Sequence, residues 1–400
     1  MRAVGLITEY NPFHNGHRYH IQQAKQLTQA DVVIAMMSGN YVQRGEPAIF
    51  NKWQRAEIAL NQGVDIVLEL PFAYAVQPAH LFAYGAVKLL AAIGVADLVF
   101  GAEHADYDFG ALARAAKTVT QDHEHFQSDY RQTFASQFNQ LLVEQLGVDL
   151  TKPNDLLGFA YAQARLDLNL ADQIQLHPIQ RQQAQYHDVR LPFGGQIASA
   201  TALRRQIEQG KGMANVAQYV APQMLALAKK GPEVHPFAGA WFDALRYQVL
   251  TSSVAQLETI YQLNDGLAPR LKKLVDYYQG ASYEDFLAQF KSRRYTKARM
   301  QRLLLYTVLQ VRPEQIQAVW QHPYLRLLGV TARGQQYLHE RKKKLAIPLI
   351  SRVTQEDVQG RLQLDYQVGK VYQHFARQAL QQQFTQDTGR QPIIRDKKEK

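Results

Sequence analysis

Apolar and polar positions alternate in two regimes along the chain. Through the first hundred residues, short apolar runs separate stretches with helical spacing. Ala3–Ile7, Asp31–Met37 (DVVIAMM), Val64–Leu70 (VDIVLEL) and Ala96–Phe100 (ADLVF) read as four buried strands, with helical patterns near 18–30, 52–62 and 78–93 between them. Strands that alternate with helices predict βαβ units and a parallel sheet. Residues 107–170 read as helices, with a long amphipathic stretch over Asp122–Leu146 and a helix start at Thr151-Lys152-Pro153-Asn154-Asp155, where Pro and Asx residues suit a first turn. Ile174–Arg181 (IQLHPIQR) reads as a fifth strand. Ser199-Ala200-Thr201-Ala202-Leu203-Arg204-Arg205 opens another helix, with Ser199 or Thr201 as N-cap. From about residue 212 onward helical periodicity dominates and strand signals are few. The fold class expected is α/β, a Rossmann-like parallel sheet over 1–210 followed by a mainly helical domain over 211–390 and a disordered tail over 391–400.

Open α/β sheets bind ligands at the carboxyl ends of their strands, so the residues after each strand carry the chemistry. The first strand leads into His14-Asn15-Gly16-His17, where it hands over to a helix. A helix N-terminus offers unpaired N–H groups and a positive dipole end. Glycine lets the backbone approach a ligand, and two imidazoles can donate hydrogen bonds to one phosphoryl group. The second strand leads into the polar loop Ser38-Gly39-Asn40-Tyr41-Val42-Gln43-Arg44-Gly45-Glu46-Pro47, the third into Pro71-Phe72, and the fourth into Gly101-Ala102-Glu103-His104-Ala105-Asp106. Arg181 lies at the end of the fifth.

Other phosphate and metal motifs are absent. Gly39 to Gly45 has the wrong spacing for a P-loop and no Lys-Ser/Thr after it. There is no G-x-G-x-x-G after the first strand and no H-E-x-x-H. His123-Glu124-His125 looks like a metal pair, but helical residues two apart do not share a face. Glu103 to Asp106 could hold a metal, although the start of this loop is better suited to approach a nucleotide and the rest to cap the next helix; no metal is assigned to protein side chains. What remains is a nucleotidyl-transfer site of the HxGH kind. There a carboxylate or phosphate nucleophile attacks the α-phosphorus of ATP and pyrophosphate leaves, with positioning and charge stabilisation carrying the catalysis. His14 and His17 are the expected catalytic pair, with N–H groups from Gly16 onward helping to bind the phosphates. Arg181 is the first choice to neutralise the triphosphate, and Mg2+ is expected to accompany ATP.

Composition adds a partner. A chain of 400 residues with 46% hydrophobic and 20% charged residues is globular and long enough for more than one domain. It has no cysteine, which excludes disulfides, thiolate catalysis and Cys-based zinc sites and makes a reducing cytosol the natural setting. With no signal-peptide pattern and no run near ~18 apolar residues, a cytoplasmic protein without membrane spans is expected. The net charge of +10 is unevenly placed: residues 1–200 carry −5 and residues 201–400 carry +15. Lys291–Arg302 holds six basic residues and no acidic one, and Arg341-Lys342-Lys343-Lys344 is a second cluster. Tyr295 inside the first gives the basic-plus-aromatic mixture of nucleic-acid surfaces. Arg293, Arg294, Lys297, Arg299, Lys342 and Lys343 are therefore the candidate RNA contacts.

GLITEYNPFHNGH, SGNYVQRGEPAIFNKWQRAEIAL, GVDIVLELP, FGAEHAD, KPNDLLGFAYAQA, the IQR/YHD stretch, SATALRR, KSRRYTKARMQRLLLY and YLRLLGVTARGQQYL together resemble the bacterial tRNA(Met) cytidine acetate ligases, in order and over nearly the whole chain. The resemblance implies activation of acetate by ATP to acetyl-adenylate. It further implies acetyl transfer to N4 of the wobble cytidine of elongator tRNA(Met), giving N4-acetylcytidine. It places ATP contacts on Ile7, Thr8, Glu9, Tyr10, Asn11, Pro12, Phe13, His14, Asn15, Gly16, His17, Arg18, Tyr19 and His20, and on Gly101, Asn154 and Arg181. Acetate and tRNA are the implied partners, and no protein partner is inferred. From the residues alone, two alternatives stay open: a nucleotidyltransferase acting on a small molecule, and an RNA-binding protein with a decayed nucleotide site.

Overall fold

The apolar runs form strands close to their expected positions in the computed structural model, which describes residues 1–121, 139–140, 142–144, 147–181, 197–210, 213–235, 239–377 and 385–395. The chain begins β1 (Ala3–Thr8), α1 (Asn15–Thr28), β2 (Val32–Ser38), a small hairpin of β3 (Tyr41–Val42) and β4 (Glu46–Pro47), and α2 (Lys52–Asn61). It continues with β5 (Ile66–Leu70), α3 (Phe72–Ala75), α4 (Ala79–Ile93), β6 (Asp97–Ala102), α5 (Phe109–Gln121), α6 (Pro153–Asp167) and β7 (Gln175–Gln180). Helices follow: α7 (Ala200–Gln209), α8 (Met213–Ala217), α9 (Pro222–Lys229), α10 (Ala240–Thr251), α11 (Val254–Glu258), α12 (Leu267–Tyr277), α13 (Tyr283–Phe290), α14 (Lys297–Leu309) and α15 (Pro313–Gln321). The chain then returns through β8 (Leu325–Thr331), α16 (Ala332–Arg341), β9 (Leu349–Ile350), α17 (Gln355–Gln359), α18 (Gln363–Phe375) and β10 (Ile393–Arg395). Most of the stretch expected to be helical over 122–146, with His123 to His125, lies outside the described residues, as does the polar segment 182–196 with its YHD motif.

The main sheet runs β10-β8-β5-β2-β1-β6-β7. Five consecutive members, β5 to β7 in that order, are mutually parallel. Strand order reverses at β1, with β2 and β5 on one side and β6 and β7 on the other, which is where such sheets open a crevice. The β1–β6 ladder covers only Val4↔Asp97 and Gly5↔Leu98, so the carboxyl ends of these two strands separate. Alternate side chains of the strands serve two cores: Val32, Ile34 and Met36 pack on one face with α4, while Val33, Ala35 and Met37 pack on the other with α1, α2 and α7.

The second half is not confined to helices. The run LRLLGVT forms β8, fully buried and antiparallel to β5, so the sheet takes strands from both sides of residue 210. The physical reason is that β5 would otherwise leave a row of unpaired backbone groups on its outer side. Residues 393–395, expected in a disordered tail, instead pair in parallel with Gly329–Thr331, because β8 in turn offers an open edge. Asp65 fastens this join, accepting from Val33 N at 3.1 Å and from Thr331 Oγ1 at 2.9 Å. A buried ionic cluster clips the last described segment to the sheet: Lys52 Nζ lies 2.8 Å from Glu69 and 2.7 Å from Asp387. Helices from α10 onward add Trp241, Phe242, Leu303 and Tyr306 to the core that contains α4.

Candidate active site

The turn after β1 is organised by its histidines. His14 is the N-cap of α1, and its Nδ1 accepts the N–H of Gly16 at 3.1 Å. Its own backbone N–H donates to His17 Nδ1 at 3.2 Å, so two histidines form a reciprocal capping box. Both Nδ1 atoms are acceptors, which puts the proton of each neutral ring on Nε2. The rings lie 3.9 Å apart, centroid to centroid. Gly16 is required here because a Cβ would sit 2.8 Å from the His14 ring. One turn on, His20 Nε2 donates to the Val99 carbonyl at 2.9 Å, on β6 just beyond its ladder with β1.

Burial holds all three rings neutral. It pushes His14 down to about 3, helped by Arg181 and Arg204. Burial, then His14, His20 and Arg181, hold His17 well below the ordinary imidazole range. Burial takes His20 down to about 4 against the opposing effect of its bond to Val99. His14 and His17 therefore act as hydrogen-bond donors through Nε2, not as cations.

These groups line a cavity of about 240 Å³ at the carboxyl ends of β1, β6 and β7. Gly101 ends its wall on β6, with the Arg181 stem 3.3 Å from where a Cβ would stand. Arg181 leaves the end of β7 with Nη1 3.4 Å from Asn154 Oδ1. Asn154 is fixed by Glu103, whose carboxylate accepts the backbone N–H of Asn154 at 3.0 Å and of Asp155 at 3.1 Å, capping α6. Asp155 answers by accepting from Glu103 N at 2.8 Å and binding His104 Nδ1 at 2.7 Å. The start of the Glu103–Asp106 loop thus caps α6, not the next helix in sequence, α5, and among the described residues no three metal-ligating side chains converge.

A second helix start faces the cavity. Ser199 is the N-cap of α7, its Oγ accepting from Ala202 N at 3.0 Å. One turn in, Arg204 donates to the Asn11 carbonyl at 2.7 Å and to Thr201 Oγ1 at 3.2 Å. Phe82, Phe100, Leu157 and Tyr161 supply an apolar wall, and Gln43, Arg44 and Glu46 of the β3–β4 hairpin close the side next to Glu9. The arrangement provides two neutral imidazole donors, two helix N-termini and three guanidinium groups around one cleft, beside an apolar wall. That set suits a triphosphate joined to a planar base.

Of the residues expected from the sequence, Ile7, Thr8, Glu9, Tyr10, Asn11, His14, Gly16, His17, Tyr19, His20, Gly101, Asn154 and Arg181 line this cavity. Pro12, Phe13, Asn15 and Arg18 do not: Pro12 and Phe13 are buried, Asn15 Nδ2 donates to the Gln218 carbonyl at 2.8 Å, and Arg18 is exposed. Arg204 and Ser199 were not singled out as ligand contacts, and the hairpin was indicated only as a polar loop after the second strand. The available signal was the Ser/Thr N-cap followed by arginine in SATALRR.

The two basic clusters part company. Arg293, Arg294 and Lys297 are exposed at the start of α14, and Arg299 stacks 4.2 Å from the Tyr295 ring centroid. Arg302, from the same run, is buried; its Cα lies against Gly45, which has φ +85°. Gln301 reaches Glu46 at 2.9 Å, so this cluster adjoins the hairpin that walls the cavity. Lys342 and Lys343 are exposed on the turn after α16. Because β8 is antiparallel, α16 starts beside Asp65 and runs toward Gly94, whose carbonyl accepts from Tyr337 at 2.9 Å. These lysines therefore lie by the amino ends of the parallel strands, across the sheet from the cavity.

The fold and site define a nucleotidyltransferase-like α/β protein, and residues 1–387 match the HIGH Nucleotidyl Transferase family. A protein of Leuconostoc citreum named tRNA(Met) cytidine acetate ligase is 50% identical over 98% of this chain and 97% of its own length. One of the same name from Leuconostoc mesenteroides is 46% identical over 99% of this chain and 100% of its own. The chain belongs to the tRNA(Met) cytidine acetate ligase family. Crystal structures of Thermotoga maritima TmcAL, 31% identical and covering 99% of this chain and 100% of their own, superpose with TM-scores of 0.86 for an apo form and 0.84 for a form bound with alpha-thio ATP.

Proposed function

We propose that this protein is an ATP-dependent ligase that converts acetate to acetyl-adenylate and passes the acetyl group to N4 of the wobble cytidine of elongator tRNA(Met). The carrying observation is the His14–His17 capping box, which turns two Nε2–H donors and the start of α1 toward a cavity at the strand-order reversal. In this reading the phosphates of ATP lie among His14, His17, Arg181, Arg204 and the α7 N-terminus, and the adenine lies along Phe100 and Tyr161. Acetate attacks the α-phosphorus in line with the departing pyrophosphate. Fixed donors around the phosphoryl oxygens stabilise the transition state, and they need no reorganisation as charge develops. Mg2+ arrives with ATP, held by phosphate oxygens and water, since Mg2+ keeps several waters and needs few protein ligands. Arg293, Arg294, Lys297 and Arg299 hold tRNA phosphates beside the hairpin, and sequence is read by other contacts.

The test is pyrophosphate release from ATP with a panel of small carboxylates, with and without total tRNA. Acetate alone among the panel should support release, and acetylated cytidine should appear only with tRNA. ATP binding without turnover would point instead to a decayed nucleotide site.

A further inference from the structure

The exocyclic amine of cytosine is a weak nucleophile, because its lone pair is delocalised into the ring. It becomes strongly acidic as a C–N bond forms, so its transfer step needs a proton acceptor. We propose that Glu9 is that general base, an inference that rests on the proposed acetyl transfer.

Elimination among the cavity groups favours it. His14 and His17 each commit Nδ1 to a backbone N–H and carry their proton on Nε2, so neither has a lone pair to offer. His20 donates Nε2–H to Val99 of β6, and burial takes it down to about 4, which makes its remaining ring nitrogen a weak proton acceptor. Arg181 and Arg204 have no lone pair to offer. Glu46, the other carboxylate lining the cavity, is turned toward Gln301 of the basic helix at 2.9 Å and sits on the hairpin, not at a strand end. Glu9 accepts one hydrogen bond, from Gln43 N at 2.8 Å, and a carboxylate has capacity beyond that.

Its position fits the task. Glu9 follows the end of β1, between the β3–β4 hairpin and Arg204. Arg204 acts electrostatically on both Glu9 and His14, and all three line the same cavity. The hairpin beside Glu9 is the one that touches Gln301 and Arg302 of the basic helix, the side from which RNA would enter. In the step, the N4 lone pair forms the C–N bond to the acetyl carbon. The C–O bond to the adenylate phosphate breaks, AMP leaves with that electron pair, and the N4 proton passes to the Glu9 carboxylate.

Burial raises the Glu9 pKa above the ordinary carboxylate range. The Gln43 N–H, Arg204 and Arg44 oppose the rise, and Glu46 adds to it. On the α2 side, Arg55 donates to the Glu9 main-chain carbonyl at 2.6 Å. The base is therefore available only above this raised value, and transfer should decline in acid as Glu9 protonates.

The experiment compares wild type with Glu9→Gln in two assays of the full chain. Acetyl-adenylate is trapped with hydroxylamine, which needs no protein base, and single-turnover acetylation of tRNA is followed across pH. Because Glu9 also lines the nucleotide cavity, trapping will fall to some extent, but transfer measured from preformed acetyl-adenylate should fall by a further factor of about 10²–10⁴, the usual contribution of a general base. The acid limb of the transfer profile should disappear. Equal losses in both assays would assign Glu9 to adenylation alone, and unchanged transfer would assign the proton to another acceptor; either overturns the proposal. Glu9→Asp keeps a carboxylate one methylene short and covers the case in which Gln impairs folding. It should transfer measurably, with an acid limb, and transfer no better than a protein lacking the carboxylate refutes the idea. A wild type that acetylates no tRNA would fault the proposed function itself.

Discussion

At the scale of single residues, the capping box ties a folding interaction to a chemical one. The Nδ1 atoms hold the helix start, and this leaves the Nε2–H groups for a ligand. His17→Ala should cut adenylate formation by about 10²–10³-fold, the usual cost of one preorganised donor, and leave tRNA affinity nearly intact; filter binding beside pyrophosphate release checks both. The same rings make the fold acid-sensitive. Their folded pKa values, about 3 for His14 and about 4 for His20, lie below the unfolded value, so the unfolded chain binds more protons as pH falls below about 6.5. Each such ring costs up to about 1.4 kcal/mol per pH unit in that window. Glu69 works the other way: burial pushes it up to about 7, so its contribution favours the fold in acid and is lost as pH rises. A His14→Gln/His17→Gln variant should lose melting temperature less steeply than wild type between pH 6.5 and 4. A parallel decline of the two would rule out buried neutral rings as the cause. The HNGH stretch was legible in the sequence as the strand-to-helix turn at the candidate site; the tautomers were not, because they depend on which backbone N–H each ring meets.

At the scale of elements, two helix starts serve the cavity. Removing the α7 cap with Ser199→Ala should destabilise by about 1 kcal/mol and weaken ATP binding, measured by calorimetry, because the same turn positions Thr201 and Arg204. Four of the five parallel strands were legible because each is a short apolar run between turn residues; β7, QLHPIQ, is a mixed run on the sheet edge. β8 was not read as a strand, although LRLLGVT is fully buried: a run of that length has no periodicity to separate a buried strand from a buried helix segment. β10 was missed because three residues on an edge carry almost no pattern. Lys52 is a related case. It opens the helical pattern over 52–62 and was not singled out there, yet it is 1% exposed between two carboxylates. Lys52→Met should cost about 3–5 kcal/mol by leaving Glu69 and Asp387 buried together, seen as a lower denaturant midpoint.

At the scale of the whole molecule, the two basic clusters of the second half lie toward opposite ends of one sheet. Neutralising Arg293, Arg294 and Lys297 should weaken tRNA binding and flatten its dependence on salt by roughly one unit of log–log slope per lost phosphate contact. Neutralising Lys342 and Lys343, across the sheet, is the matched control; an equal loss there would move the RNA path away from the cavity rim. Length and composition made an anionic polymer legible, but not which cluster adjoins the site, since that depends on the antiparallel turn of β8. The same strand has a consequence for synthesis. β5 leaves the ribosome long before β8, its neighbour in the finished sheet, so at ordinary elongation rates the nascent chain waits about 13–50 s with that flank open. An unpaired edge of this kind is a template for wrong partners. During that interval the emerging polypeptide is a natural client for chaperones that shield exposed strands.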